Sequence, residues 1–544
     1  MIPVLLPDEV RALDAAAPVS HEVLVERAGH AVAVEALSML GGAYGRRAVV
    51  VAGPGANGAD ALVAARLLQR RGVRVHIVHV GRNNPPPPRL PRADLVIDGA
   101  YGISINGPYV APDPAGALVL AVDIPSGIDP VTGLVVAGGA AVMADVTVTF
   151  AAIKPGLLLA DGVQAAGRVV VADIGLDAAA YSHSGVVTAA DVARLIPSRD
   201  RNAHKWDAAV LVVAGSAGMT GAPLLVSAGA LRAGAGMVRL GVPGRVVGDT
   251  EAVAVELPEE NWSQQAIALA ERCGSLVIGP GLGRTRATRA AVRKVLSKCS
   301  LPVVVDADAI MALGPGSTDE DPRSLVRSLA VATGASALSG QRVGSNVGET
   351  DVGAQRGATR VAHGDLLPGQ RAVLQAASRR IGATPAAAAA AGTARTAGFD
   401  AAVRGLAGRP PGATVLTPHE GEFRSLTGQA VGADRFADVR RLAAATGAVV
   451  LLKGPTTLVA SPDGWVDVVT TGDQRLATAG TGDVLAGVIG ALLAQGLSAQ
   501  KAASVGAWLH GTAAGRGLRS GLVAGDLPAL IASVLSQVQA EAAP

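Results

Sequence analysis

Two long parts of the chain alternate short apolar runs with helix-like segments. In the first part, residues Arg46 to Val80 give an apolar strand, a glycine-rich turn, a helix and a second strand. Further apolar runs lie at Asp94 to Asp98 and at Ala117 to Gly127, and both include an aspartate near their carboxyl end. This order predicts parallel strands joined by right-handed crossovers. Because active sites of open α/β sheets gather at the carboxyl ends of strands, we expect function there.

The same alternation begins again near Val187. It starts with the string HKWDAAVLVVAGSAGMTGAP and continues through SLVIGPGLG, LPVVVDADAIMAL, ATVLTPHEGEF, AVVLLKGPTT and ATAGTGDVLAGVIG. Most of these strands end in Gly, Asp or His, which predicts a second α/β unit. The most hydrophobic stretch of the chain, Leu134 to Ile153, is interrupted by Asp145, Thr147 and Thr149 in strand-like alternation. It therefore predicts buried sheet rather than a membrane span.

The length of 544 residues is too great for one hydrophobic core. The two patterns predict an α/β protein with one domain over residues 1–180 and another over residues 187–540. Residues 315–411 break the alternation, are rich in Gly, Ala, Ser and Arg, and are interpreted as a low-complexity insertion. We expect this insertion to be poorly ordered or only partly helical.

Composition limits the classes of partner. The formal net charge of +3 and the four Phe, four Tyr and four Trp do not suggest a nucleic-acid surface. Cys273 and Cys299 are too few for a disulfide framework and lack metal-ligand spacing, which favours a reducing compartment. The first residues lack a basic segment before the apolar ones, so we expect a cytoplasmic protein without a secretory signal or membrane association.

The strongest chemical motif is AGTGDVLAG, from Ala479 to Gly487. Glycines before an apolar helix leave main-chain N–H groups free at its positive end, which can hold a phosphate or a developing anion. Asp483 would lie beside this pocket and could take a proton from a substrate hydroxyl. The alternative is a helix-capping aspartate in an ordinary glycine turn.

Two other strand ends carry candidate binding groups. The segment Lys453-Gly454-Pro455-Thr456-Thr457 offers a cation, hydroxyls and free amides for phosphate, and the alternative is a solvated lysine. His419, in TPHEGE, could donate a hydrogen bond to a substrate carbonyl or amide, and the alternative is a structural histidine.

Three further segments are weaker signals. The loops Gly279 to Gly283 and Gly215 to Ala222 would let a flat ligand approach the main chain. Asp306 and Asp308 could hold a metal or order the phosphate site, or form a strand-end turn.

In this order, the C-terminal motifs from about Thr188 to Leu535 resemble the NAD(P)H-hydrate dehydratase family of the ribokinase-like superfold. The resemblance implies that Asp483 is the catalytic acid/base and also contacts the hydrated dinucleotide with Ala222, Gly283 and His419. It assigns the adenine nucleotide to Lys453, Gly454, Pro455, Thr456, Thr457 and Gly482. The implied reaction phosphorylates the hydrate hydroxyl from ADP, with Mg²⁺ as cofactor, and then expels phosphate. A ribokinase-like small-molecule kinase and a non-catalytic nucleotide-binding module are the alternatives.

The N-terminal half contains Gly53-Pro54-Gly55-Ala56-Asn57-Gly58, which matches G-x-G-x-x-G between a strand and a helix. A Rossmann dehydrogenase is therefore one interpretation. The second strand ends in Val80-Gly81-Arg82 rather than in an acid, so this interpretation would favour NADP over NAD.

The strings LVERAGHAVAVEAL, VVVAGPGANGADALVAARLL, VIDGAYGISINGP and AVDIPSGIDPVTG resemble the NAD(P)H-hydrate epimerase family over residues 1 to 180, with a Rossmann-like three-layer α/β/α fold. The resemblance implies Asp123 as the catalytic residue and Asn57, Asp98 and Ser126 as ligands of K⁺. The implied dinucleotide site comprises Asp123 together with Ala56, Asn57, Gly58, Ala59, Asp60, Gly102, Ile103, Ser104, Ile105, Asn106, Gly107 and Pro108.

Three alanines depart from the epimerase pattern, which has NNGGDG at this point. Ala56 lacks a polar side chain, while Ala59 and Ala61 add methyl groups where a close approach or a positive φ could be required. The sequence therefore leaves open an active epimerase or an inactive epimerase-like domain. The expected partners are hydrated NADH and NADPH together with ADP, and we expect a homo-oligomer.

Overall fold

The computed structural model of the protein describes residues 1–246, 248–314, 406 and 408–542. Strands β1 to β17 are, in chain order, Ile2–Pro3, Arg47–Ala52, Arg74–His79, Leu95–Gly99, Leu118–Val122, Val146–Phe150, Arg168–Ala172, Ser184–Val186, Ala209–Val213, Met237–Pro243, Val253–Leu257, Ser275–Ile278, Val303–Val305, Thr414–Leu416, Val449–Leu452, Thr457–Ala460 and Val466–Val469. The α-helices of the described residues, α1 to α14, are Pro7–Ala15, His21–Leu40, Ala56–Arg70, Gly162–Ala165, Ala189–Leu195, Gly221–Arg232, Ser263–Leu269, Arg286–Lys298, Asp308–Leu313, Glu420–Thr427, Arg435–Thr446, Thr481–Ala494, Ala499–Arg516 and Leu527–Ala542. The predicted α/β class is confirmed.

The first sheet has six parallel strands in the order β3-β2-β4-β5-β6-β7. On one face, Val50, Ile97 and Leu120 are buried against helices α2 and α3. On the other face, Val51 and Val96 are buried against Leu90, Tyr109 and Val142, which lie in irregular segments. Both faces are thus covered, as apolar strands of a parallel sheet require.

Among the described residues, the second sheet has eleven strands in the order β1-β8-β17-β16-β15-β14-β13-β12-β9-β10-β11. The strands from β15 through β11 in that order are parallel, whereas β16 is antiparallel to both of its neighbours. Helices α6, α12, α13 and α14 contribute the apolar side chains of one core, and α7 to α11 contribute to the core on the opposite face. This arrangement buries the valine-rich strands from both sides.

The beginning of the chain belongs to the second sheet. Strand β1 pairs with β8 in antiparallel fashion, and β8 pairs with β17. The amino group of Met1 also lies 2.8 Å from Oδ1 of Asp191. The boundaries at residues 180 and 187 stay a prediction, and the insertion predicted at 315–411 lies, except for 406 and 408–411, outside the described residues.

The stretch Leu134 to Ile153 is only partly sheet. The strand prediction is correct for Val146–Phe150, but wrong for residues 134–145, which form a loop with isolated bridges. Gly138 has a φ of +80°, which interrupts an extended chain at that point. Within the described part of the chain, none of the helices combines the length and the apolar character that a membrane crossing requires.

Candidate active sites

Five adjacent parallel strands of the second sheet end at one edge and carry the predicted C-terminal motifs. Strands β9, β12, β13, β14 and β15 lead directly into the segments beginning at Ala214, Gly279, Asp306, Thr417 and Lys453. Parallel strands place their carboxyl ends together, so motifs that are far apart in sequence meet there. We call this group of residues, together with Gly480 to Asp483, the second-sheet site.

The glycine turn before α12 faces the lysine at the end of β15. Gly480 caps the helix with a φ of +88°, and Asp483 lies in the first turn. A Cβ added to Gly482 would lie 3.5 Å from Nζ of Lys453 and 4.0 Å from Oδ2 of Asp306. The structure therefore brings the anion pocket and the lysine segment together, as the motifs predicted.

Lys453 is held by carboxylates. Its Nζ lies 2.9 Å from Oδ1 of Asp306 and 3.6 Å from Oε2 of Glu422, and the hydroxyl of Thr417 donates to the same Asp306 oxygen at 2.7 Å. Burial alone would lower the pKa of Lys453, but the two carboxylates outweigh it and raise that pKa. Lys453 is therefore a fixed, charged group.

Asp483 is poised to exchange a proton near neutral pH. Burial, and secondarily the negative charge of Asp306, raise its pKa to about 7, although Lys453 acts in the opposite direction. An acid or base with a pKa near the working pH is effective in proton transfer.

His419 is oriented by the helix that it begins. Its Nδ1 accepts hydrogen bonds from the main-chain N–H groups of Gly421 and Glu422 at 3.0 and 3.3 Å. In the neutral ring this leaves the proton on Nε2, which can donate to a ligand. The ring is exposed, so the predicted donor role is sterically open.

The two glycine loops meet beside this edge. The hydroxyl of Ser216 donates to the carbonyl of Gly281 at 2.8 Å, and a Cβ on Gly281 would lie 3.1 Å from Cβ of Ala222. Asp308 accepts the main-chain N–H of Gly283 at 2.9 Å and pairs with Arg284 at 2.8 Å. Asp308 thus anchors the loop that follows β12.

The segment Lys453 to Thr457 makes two contacts that the sequence analysis missed. The hydroxyl of buried Thr456 donates to the carbonyl of Leu158 at 2.6 Å, so this hydroxyl faces the N-terminal half. Gly454 lies against the guanidinium of Arg435, since an added Cβ would lie 2.8 Å from Nη2. Glu422 stands in the quoted TPHEGE motif, but its ion pair with Lys453 was not predicted.

A buried ion pair marks the first-sheet site, which we define as Asn57, Asp60, Asp98, Asp123, Ser126 and Lys154. Asp123 follows β5 with a φ of +66°, and its Oδ1 lies 2.5 Å from Nζ of Lys154. The hydroxyl of Thr149 donates to the same oxygen at 3.0 Å. Lys154 is a second functional candidate that the sequence analysis missed, and its position four residues after the end of β6 was the available signal.

The three predicted potassium ligands lie on neighbouring elements. Ser126 donates through its hydroxyl and its main-chain N–H to the two carboxylate oxygens of Asp98, each at 2.8 Å. Asn57 donates to the carbonyl of Val122 at 2.6 Å, and its Oδ1 would lie 2.3 Å from a Cβ on Gly102. Burial raises the pKa of Asp98 to about 6.

The departures at the start of α3 are compatible with this backbone. Ala56, Ala59 and Ala61 are all helical, and none is among the positive-φ residues of the described chain. Ala61 is fully buried, and Asp60 is buried with a pKa raised to about 8 by burial and by the charge of Asp123. Ala59 and Ala61 therefore do not need a positive φ, although the sequence pattern left that open. The predicted loop Gly102 to Pro108 adjoins Asn57 through Gly102 and is half-buried to exposed.

Comparisons with known proteins agree with both halves. A family model described as NAD(P)H-hydrate dehydratase matches residues 210–323 and 401–537, and one described as YjeF-related protein N-terminus matches 21–89 and 83–156. The chain is 34% identical to the bifunctional NAD(P)H-hydrate repair enzyme Nnr of Mycobacterium tuberculosis, covering 91% of this chain and 90% of the relative. The enzyme of the same description from Moorella thermoacetica is 32% identical, over 95% and 93%. The solved ADP/ATP-dependent NAD(P)H-hydrate dehydratase of Bacillus subtilis is 24% identical, over 65% of this chain and 98% of its own, with a TM-score of 0.42.

Proposed function

Since the chain belongs to the family of bifunctional NAD(P)H-hydrate repair enzymes, we propose that it acts on hydrated NADH and NADPH at two sites. The first-sheet site interconverts the R and S hydrates. The second-sheet site dehydrates the S form with ADP. As part of this proposal the enzyme is a cytoplasmic homo-oligomer.

The observation that carries the dehydratase proposal is the position of Asp483 at the glycine-lined start of α12, next to Lys453. Asp483 takes the proton of the hydrate hydroxyl, whose oxygen attacks the β-phosphorus of ADP as the bond to AMP breaks. The ring carbon then loses phosphate while the neighbouring carbon loses a proton, which restores the double bond. Hydrate and ADP thus give NAD(P)H, AMP and phosphate.

Other residues bind and orient. The Nε2–H of His419 donates to the hydrated nicotinamide, and the loops at Ala222 and Gly283 hold its flat groups. The free amides at the start of α12 stabilise the phosphoryl group in transfer. Lys453 fixes Asp306 and Glu422 and adds positive charge beneath Gly482. The segment Lys453 to Thr457 binds the nucleotide through its main chain, because the hydroxyl of Thr456 is used by Leu158.

Mg²⁺ fits this site as an ion shared with the nucleotide. Asp306 and Asp483 present carboxylates near the anion pocket, while Asp308 is already used by Gly283 and Arg284. Among the described residues there is no cluster of three His, Cys, Asp or Glu side chains that could hold a metal by itself. Mg²⁺ commonly binds through one or two carboxylates plus phosphate oxygens, and it would neutralise charge on the transferred group.

At the first-sheet site, Asp123 serves the carbon whose configuration changes. That carbon bears a hydroxyl next to a ring nitrogen, so loss and return of the hydroxyl group on opposite faces inverts it. Asp123 donates a proton to the hydroxyl, which leaves as water, and accepts a proton from the water that adds to the opposite face of the resulting iminium ion, while Lys154 fixes the carboxylate. The oxygen donors of Asn57, Asp98 and Ser126 suit a hard cation such as K⁺, which would anchor the dinucleotide.

The test supplies purified protein with single hydrate epimers. With the S hydrate and ADP, we expect NADH absorbance to return with equal amounts of AMP and phosphate, and the R hydrate should be converted by the same chain. Asp483→Asn should abolish dehydration but retain ADP binding, whereas the control Asp463→Asn, in the hairpin between β16 and β17, should behave like the wild type. A stable phosphorylated product without NADH would instead indicate a kinase.

A further inference from the structure

The carboxylates of the second-sheet site would repel an anionic nucleotide. Four carboxylates, those of Asp306, Asp308, Glu422 and Asp483, lie in this site. The charges of the first three raise the pKa of Asp483, and the charge of Lys453 lowers it. Lys453 is already paired with two of these carboxylates, at 2.9 and 3.6 Å. One lysine is thus shared by two carboxylates, so a diphosphate needs positive charge in addition to that of Lys453.

Arg435 lies where such charge would act. It is the first residue of α11, its side chain is largely buried, and Nη1 forms an ion pair with exposed Glu420. Its Nη2 is buried and has no hydrogen-bond partner among the described residues. That nitrogen lies directly against Gly454, in the segment proposed to bind the nucleotide. A buried guanidinium N–H without an acceptor is costly, and the negative charge of a phosphate on the other side of Gly454 would offset part of that cost.

We infer that Arg435 is a positioning residue of the nucleotide site, where its guanidinium beneath Gly454 supports the phosphate-binding segment and sets the affinity for a nucleoside diphosphate. This inference rests on the proposed ADP-dependent function. Arg435 acts through the loop: its charge attracts phosphates across Gly454, and its guanidinium supports the main chain that binds them. Glu420 competes for the same guanidinium while the site is empty of nucleotide.

The competing explanation is a purely structural ion pair between Arg435 and Glu420. The two explanations differ for Arg435→Gln. If the pair is only structural, losing either partner lowers stability and leaves ADP affinity alone. If Arg435 serves the phosphates, Arg435→Gln weakens ADP binding, whereas Glu420→Gln leaves it unchanged or strengthens it.

The experiment measures the dissociation constants of ADP and adenosine by calorimetry for the full chain and its variants. We expect Arg435→Gln to weaken ADP binding about tenfold or more, with adenosine unchanged, and Arg435→Lys to restore part of the loss. In turnover, KM for ADP should rise while kcat stays near the wild-type value. Arg441→Gln is the matched control, since Arg441 lies on the same helix and pairs with Asp438.

An equal ADP affinity of Arg435→Gln and wild type would overturn the inference, as would an equal loss for adenosine. Weaker ADP binding by Glu420→Gln would also count against it. If the wild type itself neither binds ADP nor forms NADH, the proposed function fails instead. Should Arg435→Gln not fold, Arg435→Lys still decides: a smaller but clear loss of ADP affinity with adenosine unchanged supports the inference, and an ADP affinity equal to that of the wild type overturns it.

Discussion

The hydroxyl of Thr456 donates a hydrogen bond of 2.6 Å to the main-chain carbonyl of Leu158. Thr456 belongs to the segment at the end of β15, and Leu158 lies four residues after Lys154 of the first-sheet site. The two proposed sites are thus joined by adjacent loops. Ile153 and Leu157 strengthen the link, because both belong to the same apolar core as Leu458.

Replacing Thr456 with valine tests the strength of this link. The change keeps the shape but leaves the carbonyl of Leu158 without its donor, so we expect the free energy of unfolding to fall by about 1–3 kcal/mol. Urea denaturation followed by circular dichroism measures it. Ser536→Ala removes an exposed hydroxyl that bonds within its own helix and should cost far less. Equal losses in the two variants would contradict a buried link between the loops.

The pH dependence of dehydration tests the role of Asp483. Its pKa is raised to about 7, and a base must be deprotonated to accept the hydroxyl proton. We therefore expect kcat/KM to rise with pH up to about 7 and to level off above it. The profile is measured with the S hydrate at saturating ADP. A rate that is flat from pH 5 to 8 would show that this carboxyl group is not the base.

Much of this second site could be predicted from the sequence because each strand ends in its own chemical group. Parallel topology then brings Asp306, Thr417 and Lys453 together without further information. The pairing of Lys453 with Glu422 could not be predicted, since it depends on how α10 packs on the sheet edge. The contact of Arg435 with Gly454 could not be predicted for the same reason, because no motif marks Arg435 and only the folded structure brings the two residues together.

The first site shows the opposite limit of sequence reasoning. The alanines at 59 and 61 suggested strain, but their effect depends on backbone angles that composition does not determine. Likewise, the alternation at Asp145, Thr147 and Thr149 predicted sheet for the whole stretch Leu134 to Ile153, yet Gly138 turns the chain and only Val146–Phe150 forms a strand. The local sequence pattern correctly predicted strands that lie between two neighbouring strands and beneath helices. It was less reliable for the other segments.

The Asp123–Lys154 pair gives a prediction that separates the two activities. Lys154→Met leaves a buried carboxylate unpaired, which should cost about 3–5 kcal/mol in stability and abolish epimerisation. The double variant Asp123→Asn with Lys154→Met should recover much of the stability but not the activity. Unfolding and turnover of both epimers are measured in parallel. Epimerisation by the folded double variant would exclude a role for this pair.

Asp60 should make stability depend on pH. Its folded-state pKa of about 8 lies above the ordinary value of 3.8, so between these pH values the folded chain holds a proton that the unfolded chain has lost. Stability contributed by this group is therefore lost as pH rises from about 4 to 8, by at most about 1.4 kcal/mol per pH unit. Asp60→Asn should flatten the profile of unfolding free energy against pH. Identical slopes for the variant and the wild type would contradict the raised pKa.

Two glycines of α12 lack a side chain for different reasons. Gly482 lies at the face proposed for the nucleotide, whereas Gly487 packs against α6. A Cβ on Gly482 would lie 3.5 Å from Nζ of Lys453 and 4.0 Å from Oδ2 of Asp306, both ordinary contacts, so Gly482→Ala should fold normally. The methyl group would nevertheless occupy the face proposed for nucleotide, and we expect ADP affinity to fall about tenfold or more, because one lost phosphate contact is enough for that. A Cβ on Gly487 would lie 2.1 Å from the carbonyl oxygen of Val226 in α6, so Gly487→Ala must push two helices apart and should cost about 1–3 kcal/mol in stability. Thermal unfolding and ADP titration of both variants measure the contrast. If Gly482→Ala bound ADP as tightly as the wild type, the nucleotide would not contact the start of this helix.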